Sequence, residues 1–270
     1  MHRRNPLKAL LTAGLAAGLI NALMLGSAQA EVQSKAIRYA DEGVPLTGYL
    51  YWDDALEGER PGILVIHEWW GLNAYAKKRA RMLAELGYVA FAADMYGNDQ
   101  VTDQPAQARE WMQEVTVDPE LWRQRAAAGF AQLKNVDEVD TEQLAAIGYC
   151  FGGGTVLQMA YGGAELAGIV SFHGSMPAAP AESAGKIAPK ILILHGQADS
   201  FVDPEVVTNF QNKLEAAGAN WEMDIYGGVR HGFTNPDVGD YGIDNLQYDA
   251  QADARSWQRM QDFFRELFAD

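Results

Sequence analysis

Five short apolar runs, at residues 63–67, 88–93, 144–149, 168–172 and 191–195, limit what this chain can fold into more than any other feature of it. Each is continuously apolar rather than alternating, so the strand it predicts must be buried on both faces, and each is followed by a stretch with helical spacing. Strands of that kind separated by helices make a mostly parallel sheet with helices on both faces, the α/β class. Ahead of them, residues 34–40 and 46–52 alternate well enough to predict a leading antiparallel hairpin, joined through Asp41-Glu42-Gly43-Val44-Pro45. Near the other end, Trp257, Met260, Phe264 and Leu267 recur at helical spacing within residues 245–267 and predict a covering helix.

The first thirty residues stand apart from this pattern. Arg3, Arg4 and Lys8 precede an apolar run at residues 9–25, and Ala28-Gln29-Ala30 offers small residues for cleavage, which is the layout of a secretory signal peptide. The run is short for a membrane span and is broken by Thr12 and Asn21. The expectation is a leader at residues 1–30, cleavage near Ala30, and an exported, periplasmic or secreted protein with no stable membrane association. The pair Arg3-Arg4 also fits a twin-arginine leader, except that Pro6 stands where such a signal carries a large apolar residue. Residues 31–270 are then expected to form one domain, and no linker, repeat or low-complexity tract divides them. Setting the leader's three cations aside takes the formal charge from −15 to −18. Scattered acids of this number repel nucleic acid and anionic membranes, and they keep an exported chain soluble. A monomer is expected.

Cys150 is the only cysteine, so no internal disulfide is available and the thiol is either inert or kept for its reactivity. Its surroundings favour reactivity. Gly148-Tyr149-Cys150-Phe151-Gly152, followed by Gly153 and Gly154, lies between a predicted strand and a predicted helix. This is the pattern of a nucleophile elbow with sulfur in place of oxygen. The turn is too sharp to leave room for side chains two residues before and after the nucleophile, and the helix start behind it favours a thiolate.

In this kind of fold the acid and the histidine follow the nucleophile in the sequence. Asp199 comes just after the fifth apolar run, in His195-Gly196-Gln197-Ala198-Asp199, and His231 opens His231-Gly232-Phe233 after a predicted strand at Trp221–Tyr226. Loops at the carboxyl ends of neighbouring parallel strands can bring the two together beside the elbow. Asp199 could instead be a turn residue ahead of Pro204, although Asp203, directly before that proline, is the stronger helix cap. His67, His173 and His195 also end apolar runs. Their sequence positions suit pocket lining or core hydrogen bonding, and their spacing fits no metal site, so no metal and no cofactor are expected.

Taken together, the elbow, Glu68-Trp69-Trp70-Gly71-Leu72-Asn73, Asp94-Met95-Tyr96-Gly97 and His231-Gly232-Phe233 resemble the dienelactone hydrolase family, from about Val44 to the C-terminal helix. The resemblance implies an α/β-hydrolase fold and a triad of Cys150, His231 and Asp199. It also implies Glu68 as an additional carboxylate that holds the resting thiol until substrate binding shifts it. By its sequence alone Glu68 could equally be a polar loop residue. The oxyanion would be met by the backbone N–H of Phe151 and of Trp69. Trp69, Trp70, Tyr96 and Phe233 would supply an aromatic pocket, the alternative for each being ordinary core packing. The family binds a substrate carboxylate with arginines; here Asn235 stands at one matching position, and Arg109 lies where a second could sit. The function expected is hydrolysis of a small carboxylic ester or lactone less charged than a dienelactone. The alternatives are a thioesterase or broad carboxylesterase, or a non-catalytic exported binding protein on the same scaffold.

Overall fold

The structure is a computed structural model and describes residues 31–269. The expected leader lies outside the described residues. Eight strands form one sheet: β1 (Val32–Asp41), β2 (Val44–Asp53), β3 (Arg60–Ile66), β4 (Val89–Ala93), β5 (Val139–Tyr149), β6 (Gly168–Phe172), β7 (Lys190–Gly196) and β8 (Trp221–Tyr226). Their order across the sheet is β1-β2-β4-β3-β5-β6-β7-β8, with β1 and β2 antiparallel and β3 to β8 parallel to one another. The leading hairpin and the parallel core agree with the sequence reading.

Alternation along the buried strands divides the core between the two faces. Leu64, Ile66, Phe91, Ile169 and Ile193 face α3 (Pro119–Lys134), α4 (Phe151–Tyr161) and α5 (Pro204–Ala217), meeting Phe130, Leu157 and Phe210. Ile63, Val65, Ile147, Val170 and Leu192 face α1 (Ala74–Glu85) and α6 (Ala250–Leu267), meeting Leu83 and Phe264. Each large side chain removed from water in this way contributes about 1.5–3 kcal/mol. All residues of α4 are buried, including Gly152, Gly153 and Gly154. Three glycines make a poor helix in isolation, so packing against the sheet and α3 must hold this one. The remaining helix, α2 (Pro105–Thr116), adds Val115 to the first of these clusters and reaches toward the carboxyl ends of the strands through Met112.

Two boundaries differ from the expectation. β5 begins at Val139 rather than Leu144, because Arg60 pairs with Val139 across a register shift in β3. The polar residues Asp140 to Gln143 hid that extension. α6 begins at Ala250 rather than residue 245, with Asp249 capping it by accepting from Gln251 and Ala252. The intervening residues are held in a turn, where the Gln247 N–H donates to His231 O at 3.0 Å. Asp203 occupies the cap position of α5 before Pro204, but its side chain makes no capping hydrogen bond.

Candidate active site

The strand order reverses between β4-β3 and β5-β6, so the loops after β3 and β5 open beside a crevice, the usual place for a ligand in such sheets. The register aligns the strand ends: Ile66 pairs with Gly148, Tyr149 with Phe172, Phe172 with Leu194, and Gly196 with Tyr226. Cys150 follows at once after β5, with its backbone at φ 54° and ψ −113°. Such a conformation costs a residue with a Cβ about 1–3 kcal/mol. It is held by the Cys150 N–H donating to Phe172 O at 3.0 Å and by Cys150 O accepting from Gly153 N at 3.0 Å. The flanking glycines are required sterically. A Cβ at Gly148 would lie 2.0 Å from Gly152 O, and one at Gly152 would lie 2.3 Å from Ile66 O.

His231 and Asp199 meet as the chain order predicts. His231 Nδ1 lies 2.7 Å from Asp199 Oδ2, and both residues are buried. Asp199 is fixed in turn by the Phe201 N–H, which donates to Oδ1 at 3.0 Å. With Nδ1 donating to the carboxylate, the other ring nitrogen is left for Cys150, whose side chain is close enough to bear on the imidazole. Burial alone would lower the basicity of His231. Charge on Cys150 and the hydrogen bond donated to Asp199 outweigh it and raise the imidazole to about 10. Phe201 and His173 stand edge-on to the ring, each 5.0 Å away.

Glu68 does not hold the thiol as the resemblance implied. It is buried, and Oε2 accepts from Asn235 Nδ2 at 2.8 Å; among the described residues no hydrogen bond joins it to Cys150. Desolvation lifts its carboxyl from the usual 4.5 to about 7, partly offset by the Asn235 hydrogen bond and by the nearby His231 and Arg79. The folded chain therefore keeps a proton there that the unfolded chain releases between those two values. Stability should fall as pH rises through that window, by on the order of 3 kcal/mol. Urea unfolding at pH 5 and pH 8 reads this directly, and in Glu68→Gln the part of the slope owed to this group should vanish.

Arg79, a buried cation on the apolar face of α1, braces the same region. It pairs with Asp253 of α6 at 2.6 Å and donates to Thr234 O and to Tyr75 OH. The Thr234 hydroxyl lies 2.6 Å from Tyr75 OH and 2.7 Å from His173 Nε2. Three elements thus converge on the turn at residues 231–235 that carries both His231 and Asn235. The sequence reading missed this brace, although one arginine in the helical stripe Tyr75, Arg79, Leu83 is the sign of a buried ion pair.

A cleft of about 170 Å³ opens at the sulfur, lined by Trp69, Met112, Cys150, Phe151 and Ser175 on one side and by Phe201, Val202, His231 and Leu246 on the other. Of the aromatic residues expected to form the pocket, Trp69 alone does so. Trp70 is buried against Tyr241, ring centroids 3.9 Å apart, and Phe233 is buried beneath His173. Tyr96 lies behind Phe151 and donates to Trp69 O at 3.0 Å, so it shapes the loop rather than the cleft. Asn235 is fully buried and also leaves the lining. Arg109 is exposed on α2 and outside the cleft. The backbone N–H groups of Phe151 and Trp69 have no partner among the described residues, and both residues line the cleft with Cys150. His67 joins the loops after β3 and β4, its Nε2 accepting from Met95 N at 3.2 Å, while burial lowers its basicity and that of His173 and His195.

A model of the dienelactone hydrolase family matches residues 46–268. The chain belongs to the dienelactone hydrolase family. It is thus a dienelactone hydrolase-like hydrolase of the α/β-hydrolase fold. A solved dienelactone hydrolase-like promiscuous phosphotriesterase from metagenomic libraries is 40% identical, with a TM-score of 0.86 over 88% of this chain and 99% of its own. A protein of Methylorubrum extorquens named "Putative carboxymethylenebutenolidase" is 29% identical over 222 residues, 77% of this chain and 73% of that protein. Protein usf of Aquifex pyrophilus is 27% identical over 239 residues, 85% of this chain and 97% of that protein.

Proposed function

We propose that this dienelactone hydrolase-like protein cleaves an uncharged carboxylic ester or lactone through Cys150, His231 and Asp199. The observation that carries the reading is the strained Cys150 elbow facing a histidine whose far nitrogen is held 2.7 Å from a buried carboxylate. The sulfur attacks the carbonyl carbon and a C–S bond forms. The N–H groups of Phe151 and Trp69 receive the oxyanion, and its collapse breaks the C–O bond as His231 passes a proton to the leaving alkoxide. Water then attacks the thioester, giving its proton to His231, and the C–S bond breaks to release the acid. The cleft favours uncharged substrates because, apart from His231 and Cys150, its lining carries no ionisable side chain. That feature also suits a neutral phosphate triester, the substrate type named for the metagenomic relative, as a secondary activity. The leader-like residues 1–30 support export.

The test is hydrolysis of a short p-nitrophenyl ester by purified protein before and after iodoacetamide, followed by lactones, acyl-thioesters and a neutral phosphotriester. Activity should disappear in step with alkylation of the only cysteine. Activity surviving full alkylation would overturn the nucleophile. No turnover across the whole panel would instead favour a binding protein on this scaffold.

A further inference from the structure

We infer that Asn235 is a positioning residue that latches Glu68 away from the Cys150 sulfur, so that the sulfur pairs with His231 without waiting for a charged substrate. The inference rests on the proposed pairing of Cys150 with His231 and adds a third party to it. Three observations carry it. Asn235 is fully buried and Glu68 nearly so, and the bond between them is 2.8 Å, so no substrate group reaches this latch through the cleft. Asn235 is itself fixed from the other side: its Oδ1 accepts from Asp237 N at 3.0 Å and its own N–H donates to Gly232 O at 3.0 Å. Its carboxamide is thereby oriented with only Nδ2 free to hold Glu68. Finally, the charge of His231 is felt at Glu68 and that of Cys150 at His231, so a released Glu68 carboxyl lies within influence of the reacting pair.

An amide differs from a cation in this position. A guanidinium would hold Glu68 as a carboxylate and could be drawn away by a substrate anion, whereas a buried neutral amide offers such an anion nothing to pull on. The groups around Glu68 are Arg79 and Tyr75 from α1, Tyr149 from β5, and Tyr241 and His231 from the loops above. None of them hydrogen-bonds the Glu68 carboxyl among the described residues, so Asn235 alone fixes where it points.

The measurement is the iodoacetamide alkylation rate of Cys150 in the full chain from pH 5 to pH 9. It reads the thiol without turnover, so failure of the latch and failure of the proposed hydrolysis are distinguishable. In Asn235→Leu the freed carboxyl should slow alkylation at pH 7.5 at least tenfold. The double variant Asn235→Leu, Glu68→Met, which replaces both polar partners by apolar groups of similar size, should restore it. A purely structural defect in the turn would not be rescued by a second substitution. The near-isosteric Asn235→Asp gives an independent reading should the leucine variant not fold. Its rate relative to the native protein should be close to one below the neutral range, where the two acids share a proton, and should fall as pH rises through it. An unaltered rate in Asn235→Leu, a double variant as slow as the single one, or a flat ratio in Asn235→Asp would each overturn the latch.

Discussion

Cys150→Ala should reduce ester hydrolysis by about 10⁴-fold or more, with circular dichroism and the unfolding midpoint close to the native values. The size of the loss follows from how the site is divided. The N–H groups of Phe151 and Trp69 and the apolar cleft survive the substitution, and such elements alone retain some acceleration over water. The proposed covalent path does not survive, since among the residues lining the cleft the only other hydroxyl or thiol is Ser175. His231 rests its basicity partly on the charge of Cys150 and not on Ser175. Steady-state assay of the purified variant decides the matter, and more than a tenth of the native rate remaining would contradict the assignment.

Gly152→Ala should cost about 3 kcal/mol or more in unfolding free energy and most of the activity. Two opposing effects meet at this position. Alanine in a helix is favoured over glycine by about 1 kcal/mol, so on propensity alone the change would stabilise α4. The added Cβ, however, would stand 2.3 Å from Ile66 O and 2.8 Å from His67 O, both backbone atoms at the end of a central strand. Backbone there cannot yield without moving β3 away from the elbow, and β3 carries Glu68 and Trp69 into the site. Gly227→Ala is the matched control: a Cβ there meets nothing within 4 Å and its backbone needs no positive φ. Urea denaturation of the two variants side by side should show the first destabilised and the second within about 0.5 kcal/mol of native.

The parts of this site that could be read from the sequence are those fixed by local geometry. A glycine-flanked cysteine between a strand and a helix has few other uses, and an acid and a histidine following two later strands can only rise at the same edge of a parallel sheet. The cleft was not legible in that way. Trp70, Phe233 and Tyr96 sit beside motif residues, but which face an aromatic ring turns toward is settled by neighbours far away in the chain, such as Tyr241 stacking on Trp70. Met112 and Leu246 enter from a helix and a turn that carry no motif. In the sequence Asn235 stands as a substituted contact for substrate, because sequence shows which residue is replaced and not whether the position remains open to solvent. Its burial turned a residue of specificity into one that orients Glu68.

The turn at residues 231–235 reaches back to Arg79 in the first helix and Glu68 in the loop before it, and is clamped from the far end by Asp253. Contacts this distant in sequence form late in folding, after the intervening loops have closed. Asp199 holds His231 without α6, but the bracing of its turn through Arg79 is complete only when α6 brings Asp253 into place, so the turn is the part of the site that depends on the last helix.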